Sequence, residues 1–164
     1  MYNSGLFKFR QISSQTKDGF GILTPIESGI DIPFDIKRIY YIYDVNDKII
    51  RGNHSHKKLH QVLLCMNGSI DIRLENYFGE EKYTLNDPSI GLYVGPDNWR
   101  EMSNFTDNGI LLVLASEKYD ENDYIRDYDD FVAYNEKKYG NAQKTKTLSL
   151  KRGDRKWKIF LFHN

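Results

Sequence analysis

The chain has 164 residues, a length that suits one domain with its own hydrophobic core. Its 23 Lys and Arg balance 23 Asp and Glu, and a formal net charge of zero argues against general nucleic-acid binding as the main activity. The lone Cys65 allows no internal disulfide framework, residues 1–10 lack a stretch of signal-peptide length, and the longest apolar run, 110–115, is too short to cross a bilayer, so the expectation is a soluble protein of the reducing cytoplasm.

In chain order, short β-type runs are punctuated by turn residues. Residues 6–10 alternate, 19–24 form a second candidate closed by Pro25, and 37–44 are dense in aromatic and β-branched residues. Residues 60–66 and 69–76 flank Asn67-Gly68, which predicts a hairpin; in the second run Ile70, Ile72 and Leu74 alternate with Asp71, Arg73 and Glu75. Further strands are predicted at 81–85, 90–94, 99–105 and 110–115. About nine strands at regular spacing point to an all-β sandwich or barrel.

One short helix is predicted over 127–139, from Tyr128, Phe131, Val132 and Tyr134 at helical spacing, with Gly140 as its stop. Beyond it, 145–151 and 156–162 alternate around Arg152-Gly153-Asp154, a candidate hairpin. Residues 135–164 hold nine Lys and Arg against Glu136 and Asp154, a surplus of +7. The division expected is a domain over 1–140 and a basic extension over 141–164.

Three of the four histidines, His54, His56 and His60, fall between predicted strands. An unbroken strand would place all three on one face, a cluster suited to proton transfer or to a metal. The spacing His54-x-His56 with His60 and Gly68 resembles the first motif of the cupin barrels; Gly91, Pro96, Arg100 and Asn104 resemble the second. His60 stands where metal-binding cupins carry Glu, and Arg100 where they carry the last His. A guanidinium has no lone pair to offer a cation, so no metal is expected.

Longer blocks resemble one family, the small cupin dTDP-sugar 3,4-ketoisomerases (WxcM-like). They are Ile32-Pro33-Phe34-Asp35-Ile36-Lys37-Arg38-Ile39-Tyr40-Tyr41-Ile42, Arg51-Gly52-Asn53-His54-Ser55-His56-Lys57-Lys58-Leu59, Leu92-Tyr93-Val94-Gly95-Pro96, and the stretch 112–129 with Asp123-Tyr124-Ile125-Arg126. The resemblance implies an all-β cupin (double-stranded β-helix, or jelly-roll) barrel with one short C-terminal helix. It also implies a metal-free, cofactor-free homodimer with exchanged strands that moves the ketone of a dTDP-linked 4-oxo-6-deoxy sugar to C3.

The product would serve an aminotransferase in dTDP-3-amino-sugar, lipopolysaccharide or glycan biosynthesis. His54 and His56 match the histidines that do the chemistry, with His56 taken as the base. Phe20 with Arg100 matches members that keep the gluco configuration; the alternative for Arg100 is a surface cation stacked on Trp99. Arg38 and Arg51 are the expected phosphate partners, with Tyr40 and Lys57 as further substrate contacts. Tyr40 and Tyr41 point to opposite faces of their strand, so one of them can face a cleft. The rival readings are a metal-dependent cupin using His54, His56 and His60, and a non-catalytic cupin that binds a sugar nucleotide.

Overall fold

The computed structural model describes residues 3–13, 21–106 and 108–146. Phe20 and the candidate hairpin beyond 146 lie outside them. Among the described residues twelve strands run in chain order: β1 (Ser4–Lys8), β2 (Ile12–Ser13), β3 (Ile22–Leu23), β4 (Arg38–Ile42), β5 (Arg51–His56), β6 (Gln61–Asn67), β7 (Ile70–Asn76), β8 (Gly79–Leu85), β9 (Ile90–Val94), β10 (Trp99–Ser103), β11 (Ile110–Ala115) and β12 (Tyr124–Ile125). Helix α1 (Tyr128–Lys146) follows. Two antiparallel five-stranded sheets, β1-β9-β6-β11-β4 and β12-β5-β10-β7-β8, form the double-sheet architecture expected of a cupin, and β2-β3 makes a small third sheet.

The period-two patterning places the core. Ile70, Ile72 and Leu74 of β7, with Met102 of β10, meet Leu63 and Cys65 of β6, Leu92 and Val94 of β9, and Leu111 and Val113 of β11 between the sheets. Truncating Ile72 to Ala there would cost about 2–5 kcal/mol. Strand β6 is buried on both sides, because Val62 and Leu64 point outward into a second cluster with Phe9, Ile32 and Leu114.

The Asn67-Gly68 turn is not a hairpin. Strands β6 and β7 lie in different sheets, and the turn carries the chain around the corner between them. Gly68 has φ +76°, and a Cβ there would sit 2.5 Å from the Thr106 hydroxyl, so the left-handed residue serves a tight corner rather than a strand reversal. The hairpin joins β7 to β8, with Asn76 opposite Gly79.

Helix α1 begins where predicted: the Asp127 carboxylate accepts from the Asp130 N–H at 3.0 Å as an N-cap. It does not stop at Gly140 but runs on to Lys146, across the expected 140/141 boundary and through the start of the candidate 145–151 strand. Gly140 has ordinary helical geometry with Glu136 one turn before it, and the C-cap expectation fails there. The buried face is Phe131 and Asn135, against Trp99 and Ile125; Val132 faces solvent. Asp97 ties the helix to the barrel, accepting from Lys138 Nζ at 2.7 Å and Tyr139 OH at 2.6 Å.

Candidate active site

The histidines stand on a strand with a bulge. Between β5 and β10 the register passes from Arg100 opposite His54 to Glu101 opposite Gly52, leaving Asn53 as an extra residue. Gly52 (φ +93°) and Asn53 (φ +50°) both take left-handed conformations. A Cβ on Gly52 would meet the Arg100 carbonyl at 2.6 Å, so only glycine fits there. The bulge turns the end of β5 inward, and His54 and His56 come edge to face with ring centroids 4.9 Å apart.

Each imidazole has a fixed tautomer. His54 Nδ1 lies 2.9 Å from the Gly52 carbonyl, which can only accept, so Nδ1 carries the proton. His56 Nδ1 lies 3.0 Å from Oδ2 of Asp123 and likewise donates. Burial, then the Arg100 guanidinium, lowers the His54 pKa to about 4. His56 is also held below the ordinary imidazole range, by burial, by Arg100 and by His54. Both are neutral at pH 7, and among the described residues the hydrogen bonds of both rings are made at Nδ1.

Arg100 is not a surface cation on Trp99. It points into the barrel while Trp99 points outward to α1, and it is 2 % exposed. Its Nη2 donates weakly to the Asn98 carbonyl at 3.4 Å; Nε and Nη1 have no partner. Burial lowers its pKa to about 10, which leaves it a cation. Tyr40 faces inward and Tyr41 is 64 % exposed, as the alternation requires. The Tyr40 oxygen accepts from Gln61 Nε2 at 2.7 Å, and burial raises its pKa, so its phenol proton is free to be donated.

A cavity of about 520 Å³ opens over this group, lined by Arg38, Tyr40, Arg51, His54, Met102, Tyr124 and Arg126 among others, with no carboxylate in its wall. A second, of about 260 Å³, shares Arg38 and Tyr124 with the first and reaches His56 and Asp123. Tyr124 stands between them, its ring centroid 5.0 Å from His54 and 4.2 Å from His56. Among the described residues no carboxylate comes within ion-pair reach of Arg38, Arg51 or Arg100, whereas Arg126 is held by Glu121 at 2.6 Å.

The structure thus brings together His54, His56, Arg38, Tyr40, Arg51 and Arg100. It does not bring in Lys57, whose Nζ donates to the Asn122 carbonyl and which lines neither cavity. His60 is also elsewhere. Strand β5 ends at His56, and His60 lies beyond the bend, 2.6 Å from the Tyr93 hydroxyl beside Phe34, so three imidazoles do not share a face. Among the described residues no group of three His, Cys, Asp or Glu is placed to hold a metal ion. No local pattern singles out Asp123, Tyr124 and Arg126 as site residues, although they lie in one of the matching sequence blocks. Only pairing of β12 with β5, Tyr124 opposite His56, brings them in.

Residues 2–136 match the family model "FdtA: WxcM-like, C-terminal". The chain belongs to that family. It is 50% identical over 117 residues to the TDP-4-oxo-6-deoxy-alpha-D-glucose-3,4-oxoisomerase of Aneurinibacillus thermoaerophilus, covering 71% of this chain and 84% of that one. Among solved structures it resembles a histidine-to-asparagine variant of the 3,4-ketoisomerase QdtA from Thermoanaerobacterium thermosaccharolyticum in complex with TDP-4-keto-6-deoxyglucose, with 56% identity, TM-score 0.79, and 85% and 98% of the two chains covered. It also resembles the WlaRB TDP-quinovose 3,4-ketoisomerase of Campylobacter jejuni, with 46% identity, TM-score 0.75, and 81% and 99% covered.

Proposed function

We propose that this chain is a 3,4-ketoisomerase that converts dTDP-4-oxo-6-deoxy-glucose into its 3-oxo isomer by proton transfer through His54 and His56. The observation that carries the reading is a pair of neutral imidazoles beside a buried guanidinium without a carboxylate, at the wall of a cationic cleft. The relatives of known activity, at 50% and 56% identity, support the reaction class and the sugar.

Moving the ketone requires removal of the C3 proton, with the electron pair forming a C3–C4 enediolate and charge gathering on O4. A proton is then delivered to C4, the O3 proton passes to O4, and C3 becomes the carbonyl. His56, oriented by Asp123 and carrying a free Nε2, is the base; His54 on the cleft wall relays a proton or polarises the sugar oxygens. The unpaired Arg100 donors and the Tyr40 phenol proton stabilise the oxyanion. Arg38 and Arg51 hold the diphosphate. Proton transfer of this kind calls on no metal or cofactor.

The buried Arg100 and the TDP-quinovose isomerase relative support a gluco-configured product, with Phe20 as the second determinant. The working unit is a cytoplasmic homodimer with exchanged strands in 3-amino-sugar and glycan biosynthesis. Its catalytic part ends with α1, and the residues beyond form a basic extension.

The test is incubation with dTDP-4-oxo-6-deoxy-glucose in D₂O, followed by NMR. Deuterium at C4 of a gluco-configured 3-oxo sugar is expected, with the rate falling about 1,000-fold in His56→Asn. A galacto product sinks the stereochemical assignment, no exchange sinks the isomerase, and a single-chain mass by sedimentation sinks the dimer.

A further inference from the structure

The larger cavity is polar at one level and apolar at the next. Arg38, Tyr40 and Ile42 alternate with exposed residues along β4 and share its inner face. Tyr40 and His54 line the cavity at one level, where Arg100 lies opposite His54. Two residues farther along each strand, a step of about 7 Å, the chemistry changes: Ile42 follows Tyr40, and Met102 follows Arg100 on the inner face of β10. Ile42 is half-buried and opposite Leu111; Met102 is 6 % exposed and opposite Ile72. Leu111 and Ile72 belong to the core between the sheets, so this end of the cavity is walled by core residues, while Ile50 adds exposed apolar surface to its wall.

We propose that Ile42 and Met102 form the pocket for the C6 methyl group of the sugar and set the preference for a 6-deoxy over a 6-hydroxy substrate. The inference rests on the isomerase reading given above and is the same whichever imidazole takes the proton. With the C3 and C4 oxygens at the level of Tyr40, His54 and Arg100, two groups flank the reacting edge: the 2-hydroxyl beyond C3, and C5 with its methyl beyond C4. A methyl group placed on Ile42 and Met102 leaves water and gains packing. A hydroxyl there gives up its water and finds no partner on either side chain. The thymine methyl is the other apolar group of the ligand, but the ribose and the diphosphate separate it from the reacting carbons, so the space next to C4 is filled by the sugar's own substituents. A pocket of this kind discriminates moderately, rejecting an added hydroxyl by about 100-fold.

The first readout needs no turnover. The full chain, with ¹³C-methyl-labelled Met and Ile, is bound to dTDP-6-deoxy-glucose, the 4-hydroxy analogue of the substrate, and studied by NMR. The C6 methyl protons are expected to show NOEs to the methyl groups of Met102 and Ile42, assigned with Met102→Leu and Ile42→Val. NOEs from the C6 methyl to neither side chain, or from the thymine methyl in its place, overturn the proposal. The second readout is kcat/KM on dTDP-4-oxo-6-deoxy-glucose and on dTDP-4-oxo-glucose. Wild type is expected to favour the 6-deoxy sugar about 100-fold, and Met102→Gln and Ile42→Thr, which bring a polar group to the pocket, to reduce that ratio at least about fivefold. A wild-type ratio within about twofold of unity, or a ratio that neither variant changes, overturns the proposal. If neither variant folds, the NOEs and the wild-type ratio decide. A wild type inactive on both sugars breaks the isomerase reading, whereas one active on both alike, or active without the NOEs, breaks this inference alone.

Discussion

Arg73 and Arg100 sit on neighbouring strands of one sheet and have opposite fates. Arg73, on the outer face of β7, meets Glu80 at 2.9 Å and Glu101 at 3.1 Å and also pairs with Glu75; Glu101 lies directly opposite it in the β10 register. Arg100, one residue before Glu101, points the other way into the barrel, where Leu74 and His54 are its cross-strand neighbours. A shift of one residue along a strand separates a cation satisfied by three carboxylates from one that, among the described residues, has none in ion-pair reach and feels Asp123 only from farther off. A buried unpaired cation lowers stability, and in the proposed mechanism this one stands beside two imidazoles where an oxyanion would complete the site.

The largest effect that sharpens this contrast is on rate. Arg100→Met is expected to lower kcat about 100-fold, the scale for losing a donor to a developing oxyanion, with unchanged or higher thermal stability because a buried cation is removed. Loss of stability with intact kcat would assign Arg100 to structure. The paired cation is expected to behave in reverse: Arg73→Met, half-exposed at the surface, costs about 1 kcal/mol in chemical denaturation and leaves kcat within twofold.

Acidity provides a further test of the same contrast. His54 ionises at about 4 in the folded chain and at the ordinary 6.5 when unfolded. The unfolded chain therefore takes up protons first as pH falls below 6.5, and stability from this group declines toward pH 4, by about 3 kcal/mol across the window. Arg100→Met, by removing a neighbouring positive charge, moves the His54 pKa up and the acid limb of kcat/KM with it. An unmoved limb would show that burial alone holds the imidazoles neutral. The smallest effect expected is on binding: Arg51→Ala raises KM about tenfold, less so at high salt, because Arg51 is exposed at the rim and screened there.

Much of the fold was legible because a strand's inward face is written locally. The alternation of Ile70, Ile72 and Leu74 fixes which side of β7 meets the core, and the matching blocks by themselves group His54, His56, Arg38 and Arg51. Turns were less legible. Asn67-Gly68 has the left-handed propensity of a hairpin, but the same conformation serves a corner between sheets, and the choice rests on Thr106 and Gly109, some forty residues away. Gly140 ended the predicted helix for a similar reason: nothing local reveals that Lys138 and Tyr139 are held by Asp97, keeping the last turns attached to the barrel.

The sequence by itself determined the all-β class, and its blocks matching the family implied the histidine pair, the cationic residues around it and the reaction. The tertiary structure decided which of them meet. The bulge at Asn53 turned two imidazoles inward and the end of β5 left His60 outside; the register of β10 buried Arg100; and β12 closed on β5 to set Asp123 and Tyr124 beside His56. These are contacts between residues far apart in the chain, set by pairing register and by the space left between sheets. No local periodicity encodes them.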